Sequence, residues 1–243
     1  MSLAKSGYFV IAGLCSPERK RLLLEAAIRA RVAEKIDCHQ LDVTIPEQVN
    51  ETVAYVQQRY STVDVLIHNA GIAIDLPAEA AEAGQSQPQT PAEAQALFEA
   101  VFAGATQMTR AMLPILRNQH GGQILLLSPL GRESRMSAMR SHLQSQCAAE
   151  GWTEQMRLQV RSLGMEVLLV EPGAVTSNVR HWSEEKANAQ QVADQIVRAI
   201  RPPNPKLRYI TGKDAHTLLL LRRILSLATL EKLIVGSQKV EKR

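Results

Sequence analysis

Three short stretches put residues able to do chemistry directly after apolar runs. Asn69-Ala70-Gly71 follows the run at 64–68, and Ser128, with Gly131 beyond it, ends the run at 123–128. Pro172-Gly173 follows the run at 165–170 through Glu171. An amide, a hydroxyl and small residues at such points suit a bound polar ligand, because parallel sheets bind ligands beyond the carboxyl ends of their strands. A fourth stretch, IAGLCSPER at 11–19, stands where a phosphate-binding turn would, between the apolar run at 8–12 and a charged helical pattern. Such a turn needs glycines so that backbone N–H groups can approach the anion at a helix N-terminus. Here Gly13 is the only glycine, Pro17 has no N–H to offer, and Arg19 adds bulk. The simpler reading is a helix start, with Ser16 as cap, Pro17 in the first helical position and Glu18 at the positive end of the dipole.

The elements that must position these residues alternate. Strands are expected at 8–12, 37–41, 64–68, 123–128, 165–170 and 207–211. Helices are expected at 18–35, 46–60, 91–118, 136–163, 188–200 and 214–235. The runs ILLL and VLLV are continuously apolar, as strands buried on both faces are. Alternation of this kind predicts an α/β fold, a doubly wound parallel sheet with right-handed crossovers. One domain over residues 1–243 is expected. It carries a polar, proline-broken insertion at 77–92 and a leucine-rich helical region at 214–236. Arg222, Arg223, Glu231 and Lys232 interrupt that last region, so stable membrane insertion is not expected.

The bulk numbers narrow the function classes. With 243 residues, 45% hydrophobic and 21% charged, the chain can bury a large core without disulfides. The formal charge is only +4 and aromatics are 4%, with no basic run interleaved with aromatics, so nucleic-acid binding is not expected. Three cysteines, Cys15, Cys38 and Cys147, form no CxxC pair. That pattern predicts a reducing compartment, the cytoplasm, and no metal site.

Taken in order, the motifs carry a resemblance. LDVT at 41–44, His68-Asn69-Ala70-Gly71, TRAMLP at 109–114, Ser128 with Gly131, EGWTEQMR at 150–157 and Glu171-Pro172-Gly173 together resemble the short-chain dehydrogenase/reductase family over nearly the whole chain. The resemblance implies a Rossmann-like fold, a nicotinamide cofactor and a Ser-Tyr-Lys active site. In that site tyrosine exchanges the proton, lysine lowers its pKa and holds the ribose, and serine orients the substrate oxygen.

Several positions depart from the family pattern. The turn at 11–19 keeps one glycine of three. Gly13 and Asp42 are 29 residues apart, room for one helix and one strand, so the sheet is expected to be truncated by about one strand–helix unit near the N-terminus. The missing strand is the one that holds the adenosine ribose and carries the cofactor-selecting residue. Counting from Glu150-Gly151, the tyrosine and lysine positions fall on His142 and Gln146; counting from Ser128, they fall on Ser141 and Ser145. The family's structural asparagine falls on Val101.

These departures lead to the expectation that no nicotinamide cofactor binds. The main functional reading is a non-redox enzyme, of isomerase, dehydratase or cyclase type, acting on a small, fairly apolar molecule. Ser128 and His142 would do its acid–base chemistry, since histidine titrates near neutrality, and Gln146 would orient His142 or donate to a carbonyl. Asn69, Gly71, Pro172, Gly173 and Trp182 would line the cleft, Trp182 as part of a lid. Two alternatives accompany it. One is a non-catalytic subunit pairing with itself or with an active homologue through small residues of the helices at 91–118 and 136–163. The other is an NADP-dependent reductase that binds its cofactor unusually, with Arg19 or Lys20 on phosphate.

Overall fold

The computed structural model describes residues 1–60, 62–69, 91–118, 121–128, 140–172, 182–202, 204–211 and 229. Gly71, Gly173, the insertion as far as residue 90 and nearly all of the region 214–236 lie outside the described residues. Among the described residues there are six parallel strands: β1 (Val10–Leu14), β2 (Ile36–Gln40), β3 (Val65–His68), β4 (Gln123–Leu127), β5 (Glu166–Pro172) and β6 (Arg208–Thr211). Helices α1 (Ser2–Lys5), α2 (Pro17–Arg29), α3 (Pro46–Arg59), α4 (Pro91–Phe98), α5 (Gly104–Asn118), α6 (Arg140–Val160) and α7 (Trp182–Ile200) alternate with them. Among the described residues, no helix is long and apolar enough to cross a membrane.

Local chemistry explains the boundaries. The Ser16 hydroxyl accepts the Arg19 N–H at 3.3 Å, and Pro17 occupies the first turn of α2. The helix expected at 91–118 is interrupted by a π-helical turn at Glu99–Ala103, which carries the buried Val101. β4 and β5 are buried on both faces, as their unbroken apolar runs require. β2 instead alternates. Ile36 and Cys38 join a cluster with Ala27 of α2, while Asp37 and His39 meet α3 on the other face. There Tyr55 and Tyr60 both donate to Asp37 Oδ2, at 2.5 and 3.0 Å. The hydrogen bond from Tyr55 is the main cause holding the Asp37 carboxyl below its ordinary pKa. The same bond pushes the Tyr55 phenol up to about 12.

Between Gly13 and Asp42 the chain forms one helix, one short 3-10 turn and one strand, as its length predicts. β2 therefore pairs directly with β1, in the register Ala12↔Cys38 and Gly13↔His39. The ladder comes in two pieces, β1–β2 and β3–β4–β5–β6. Side chains join the pieces. Ile11 of β1 and Leu66 of β3 pack against one core, built by Val49 and Val56 of α3 with Met108, Met112 and Leu116 of α5. On the opposite face Leu3, Tyr8, Val65 and Ile67 share the core around Leu125, Leu168 and Val170. Arg157 fastens α6 to the sheet, donating to the carbonyls of Val167 (2.6 Å) and Pro205 (3.0 Å).

One approach is close enough to test. A Cβ at Gly104 would stand 2.5 Å from Val43 Cγ2 and 3.2 Å from the Val43 carbonyl. Gly104→Ala is expected to cost about 1–3 kcal/mol, since overpacking at this site must shift the contact between α5 and the segment that follows β2. A lowered urea midpoint with unchanged slope, partly restored by Val43→Ala, would bear this out; an unchanged midpoint would refute it.

Candidate functional site

The carboxyl ends of the strands define the candidate site. At the end of β1, Gly13 is exposed, and Leu41 stands across it: a Cβ added there would lie 2.6 Å from Leu41 Cδ2. The glycine thus admits a neighbouring side chain. Leu41 also donates its N–H to the Leu14 carbonyl at 3.0 Å, which extends the β1–β2 pairing past Gln40. Asp42 follows. Its Oδ1 accepts from the Thr44 N–H (2.9 Å) and hydroxyl (2.6 Å), and its own N–H goes to Gln48 Oε1 at 2.7 Å. The end of β2 therefore stands beside the turn, the strand expected to hold the adenosine ribose being the one that is missing.

At the end of β3, Asn69 is exposed and His68 is buried. His68 Nε2 lies 2.7 Å from the Thr109 hydroxyl of α5, with Trp152 of α6 edge-on to the ring. Burial pushes its pKa down to about 4, so the imidazole is neutral near pH 7.

Ser128, at the end of β4, is 1% exposed, and its hydroxyl donates to Glu150 Oε1 of α6 at 2.6 Å. The structure therefore gives Ser128 to Glu150. His142 and Gln146 lie on α6 two turns and one turn before Glu150, at the i, i+4, i+8 spacing of a single helix face. Their side chains, and that of Trp182 at the start of α7, are outside the described set. Ser145 is buried.

At the end of β5, Glu171 and Pro172 are buried. Arg208 of β6 bonds Glu171 and also Glu154 of α6, and lies 3.9 Å from Glu150 Oε2. Burial alone would lower the Arg208 pKa; the hydrogen bond to Glu154 and the charges of Glu171, Glu154 and Glu150 together raise it. One guanidinium thus gathers three carboxylates beneath the strand ends.

Sequence reading missed this network. Glu150 was visible only as part of EGWTEQMR, and Glu171 only as the residue before Pro172-Gly173. The available signal was Glu171 at the end of the apolar run of β5, since buried charges are paired. The small helix residues also prove to serve the chain's own packing. Gly104 admits Val43, and Ala149 packs with Val101, Leu126 and Leu169. A shallow hollow of about 640 Å³, lined by Asn50, Phe102, Thr106, Gln107 and Arg110 among others, lies between α3 and the α5 side.

Comparison with known proteins bears on these findings. The model of the short chain dehydrogenase family matches residues 1–188. The uncharacterized oxidoreductase YusZ of Bacillus subtilis is 27% identical, over 96% of this chain and 91% of its own. A short-chain dehydrogenase from Streptomyces avermitilis superposes with a TM-score of 0.71 at 25% identity, covering 99% of this chain and 90% of that one. A metagenomic short-chain oxidoreductase solved in complex with NADP gives 0.68 at 19% identity, covering 86% and 87%.

These likenesses correct two expectations. The reading as a cofactor-independent isomerase, dehydratase or cyclase is overturned, because near-full-length relatives are named oxidoreductases. The expectation of no cofactor falls with it, since the family works on nicotinamide dinucleotides and a structural neighbour holds NADP. The physical reason is that a dinucleotide is gripped along its whole length by many groups, so a missing glycine pair does not settle its fate. Parallel strands, helices on both faces, the ordered strand-end motifs and a family match over three-quarters of the length agree: the chain belongs to the short-chain dehydrogenase family.

Proposed function

We propose that the chain is an oxidoreductase that uses a nicotinamide dinucleotide, NADP(H), on a small carbonyl or alcohol substrate, and that it holds the cofactor phosphates unusually. The observation that supports this most is the near-full-length likeness to an oxidoreductase, with every strand end of the site retained. A glycine cradle does not fit the turn. Pro17 has no N–H, the Arg19 N–H is taken by Ser16, and Leu41 stands at Gly13. Charge fits instead, because Arg19 and Lys20 are exposed on the first turn of α2, beside the end of β1.

When bound, the dinucleotide supplies or accepts the hydride. His142 exchanges the proton with the substrate oxygen, and Gln146 donates to it. Asn69 and Pro172, at the ends of β3 and β5, face the substrate in this reading, and Gly71, Gly173 and Trp182 are its further lining candidates from the sequence. Ser128 acts from beneath, by joining β4 to α6 through Glu150. Pairing into a homo-oligomer through the α5 and α6 faces belongs to the same reading.

The test is direct. Calorimetric titration is expected to give micromolar NADPH binding. The Arg19→Glu/Lys20→Glu variant should weaken it by about tenfold or more, the scale of one charge-assisted contact. His142→Ala should keep binding and lose roughly 10²–10⁴ in turnover with a carbonyl acceptor. Wild-type protein that fails to bind either NADPH or NADH at millimolar concentration would end this reading.

A further inference from the structure

We infer that the outer face of α2 is a docking surface for an anionic lipid bilayer, on which the protein rests without spanning it. The inference stands apart from the cofactor reading. Arg19 and Lys20 belong to the first turn of α2, and the docking stripe begins at Arg21.

The sequence of α2 builds two faces. On the inner one Ala27 is buried, and Leu23 packs with it against Val10, Ile36 and Cys38. The outer one carries Arg21, Leu22, Glu25, Ile28 and Arg29, at positions that share one side of a helix. Leu22 is 50% exposed and Ile28 66%. A single exposed leucine needs no explanation. Two large aliphatic side chains set among arginines on one stripe form the pattern of a helix that lies in a membrane interface.

Charge selects the occupant. Residues 17–35 hold six cations against three carboxylates, Glu18, Glu25 and Glu34, while the whole chain has a formal charge of only +4. Glu25 is taken by Arg21 at 2.6 Å. Arg29 and Arg31 are exposed, and neither meets a carboxylate among the described residues. A second copy of this face would bring like charges together, so self-pairing does not suit it. A bilayer rich in phosphate does. Guanidinium groups fork onto phosphate oxygens, and the aliphatic side chains between them enter the layer beneath the headgroups.

Arg31 supplies a separate sign. It follows the end of α2 with φ of 55°, and among the described residues it is the only non-glycine at positive φ. Its N–H goes to the Ile28 carbonyl and that of Val32 to the Ala27 carbonyl, both at 3.0 Å, which closes the helix. Glycine fits such a position without strain. The helix dipole favours a cation here, but Arg29 in the last turn already meets that need. An arginine kept at a strained backbone position adds a further cation to the stripe, beside the exposed Ile28.

Sedimentation of the intact protein with lipid vesicles tests the docking. Vesicles holding about one-third phosphatidylglycerol in phosphatidylcholine should bind at least about tenfold more tightly than pure phosphatidylcholine, and raising the salt to about 0.5 M should remove most of the difference. Arg29→Gln/Arg31→Gln and Leu22→Gln/Ile28→Gln should each weaken binding by about tenfold or more. Arg31→Gly should weaken it by about fivefold while keeping or raising the melting temperature, which separates docking from folding. Arg117→Gln/Arg161→Gln removes the same charge from exposed sites elsewhere and should leave binding within about twofold of wild type. Equal binding to neutral and anionic vesicles, or binding to neither, would overturn the docking. So would an equal loss in the Arg117→Gln/Arg161→Gln variant, since net charge alone would then explain it. Unchanged binding by Leu22→Gln/Ile28→Gln would overturn the placing of this stripe in the interface.

Discussion

Acidification from pH 6.5 to about pH 4 is expected to remove about 3 kcal/mol of folding stability through one side chain, His68. Its folded pKa of about 4 lies below the ordinary 6.5. Above pH 6.5 both the folded and the unfolded chain carry a neutral imidazole, and the group adds no pH dependence. As pH falls below 6.5 the unfolded chain takes up a proton that the folded chain refuses, so stability is lost. The loss is complete once pH has passed about 4, where the folded ring protonates too. The cause is burial: the ring sits between Thr109 and Trp152. Urea unfolding at a series of pH values checks this, with His68→Gln as comparison. The variant should flatten the profile between pH 6.5 and 4; profiles of equal slope would show that His68 titrates normally.

Arg208→Met is expected to cost about 3 kcal/mol, because it leaves carboxylates buried without their cation. Glu171 and Glu150 have side chains only 3% and 5% exposed, and Arg208 touches both, together with Glu154. Arg208 itself is a third exposed, which places the cost toward the lower end for a broken buried pair. Glu171→Gln in the same chain should restore part of the loss by removing one stranded charge. Thermal melting of the three variants reads the outcome. A melting temperature for Arg208→Met equal to wild type would mean that water already supports the carboxylates.

The fold was legible where one physical signal dominated. β4 and β5 are announced by apolar runs too short for helices, and α2 by a serine, a proline and a glutamate in capping order. The missing strand–helix unit could be counted from Gly13 to Asp42. Where β2 would go could not be counted, because strand order depends on which edge a crossover reaches. The break between β1 and β3 has no counterpart in the pattern either, since the apolar spacing of both strands suits a continuous sheet.

The site was less legible. Ser128 was read as a cleft hydroxyl, yet one residue of register decides which face a strand-end side chain takes, and Ser128 faces Glu150. The inference from lost glycines to a lost cofactor gave one turn too much weight. Local sequence shows whether a backbone amide is available, as at Pro17, but not how many other groups along a cleft share the grip.

The carboxylate of Asp37 bears on solubility. β2 ends its sheet among the described residues, so its outer row of amides and carbonyls is a template on which another chain could grow. A charge fixed mid-strand by Tyr55 and Tyr60 spoils that template, because a second strand laid alongside would have to strip water from it. A sheet shortened by one unit has its raw margin moved inward, and the new margin arrives already guarded against fibrous self-stacking.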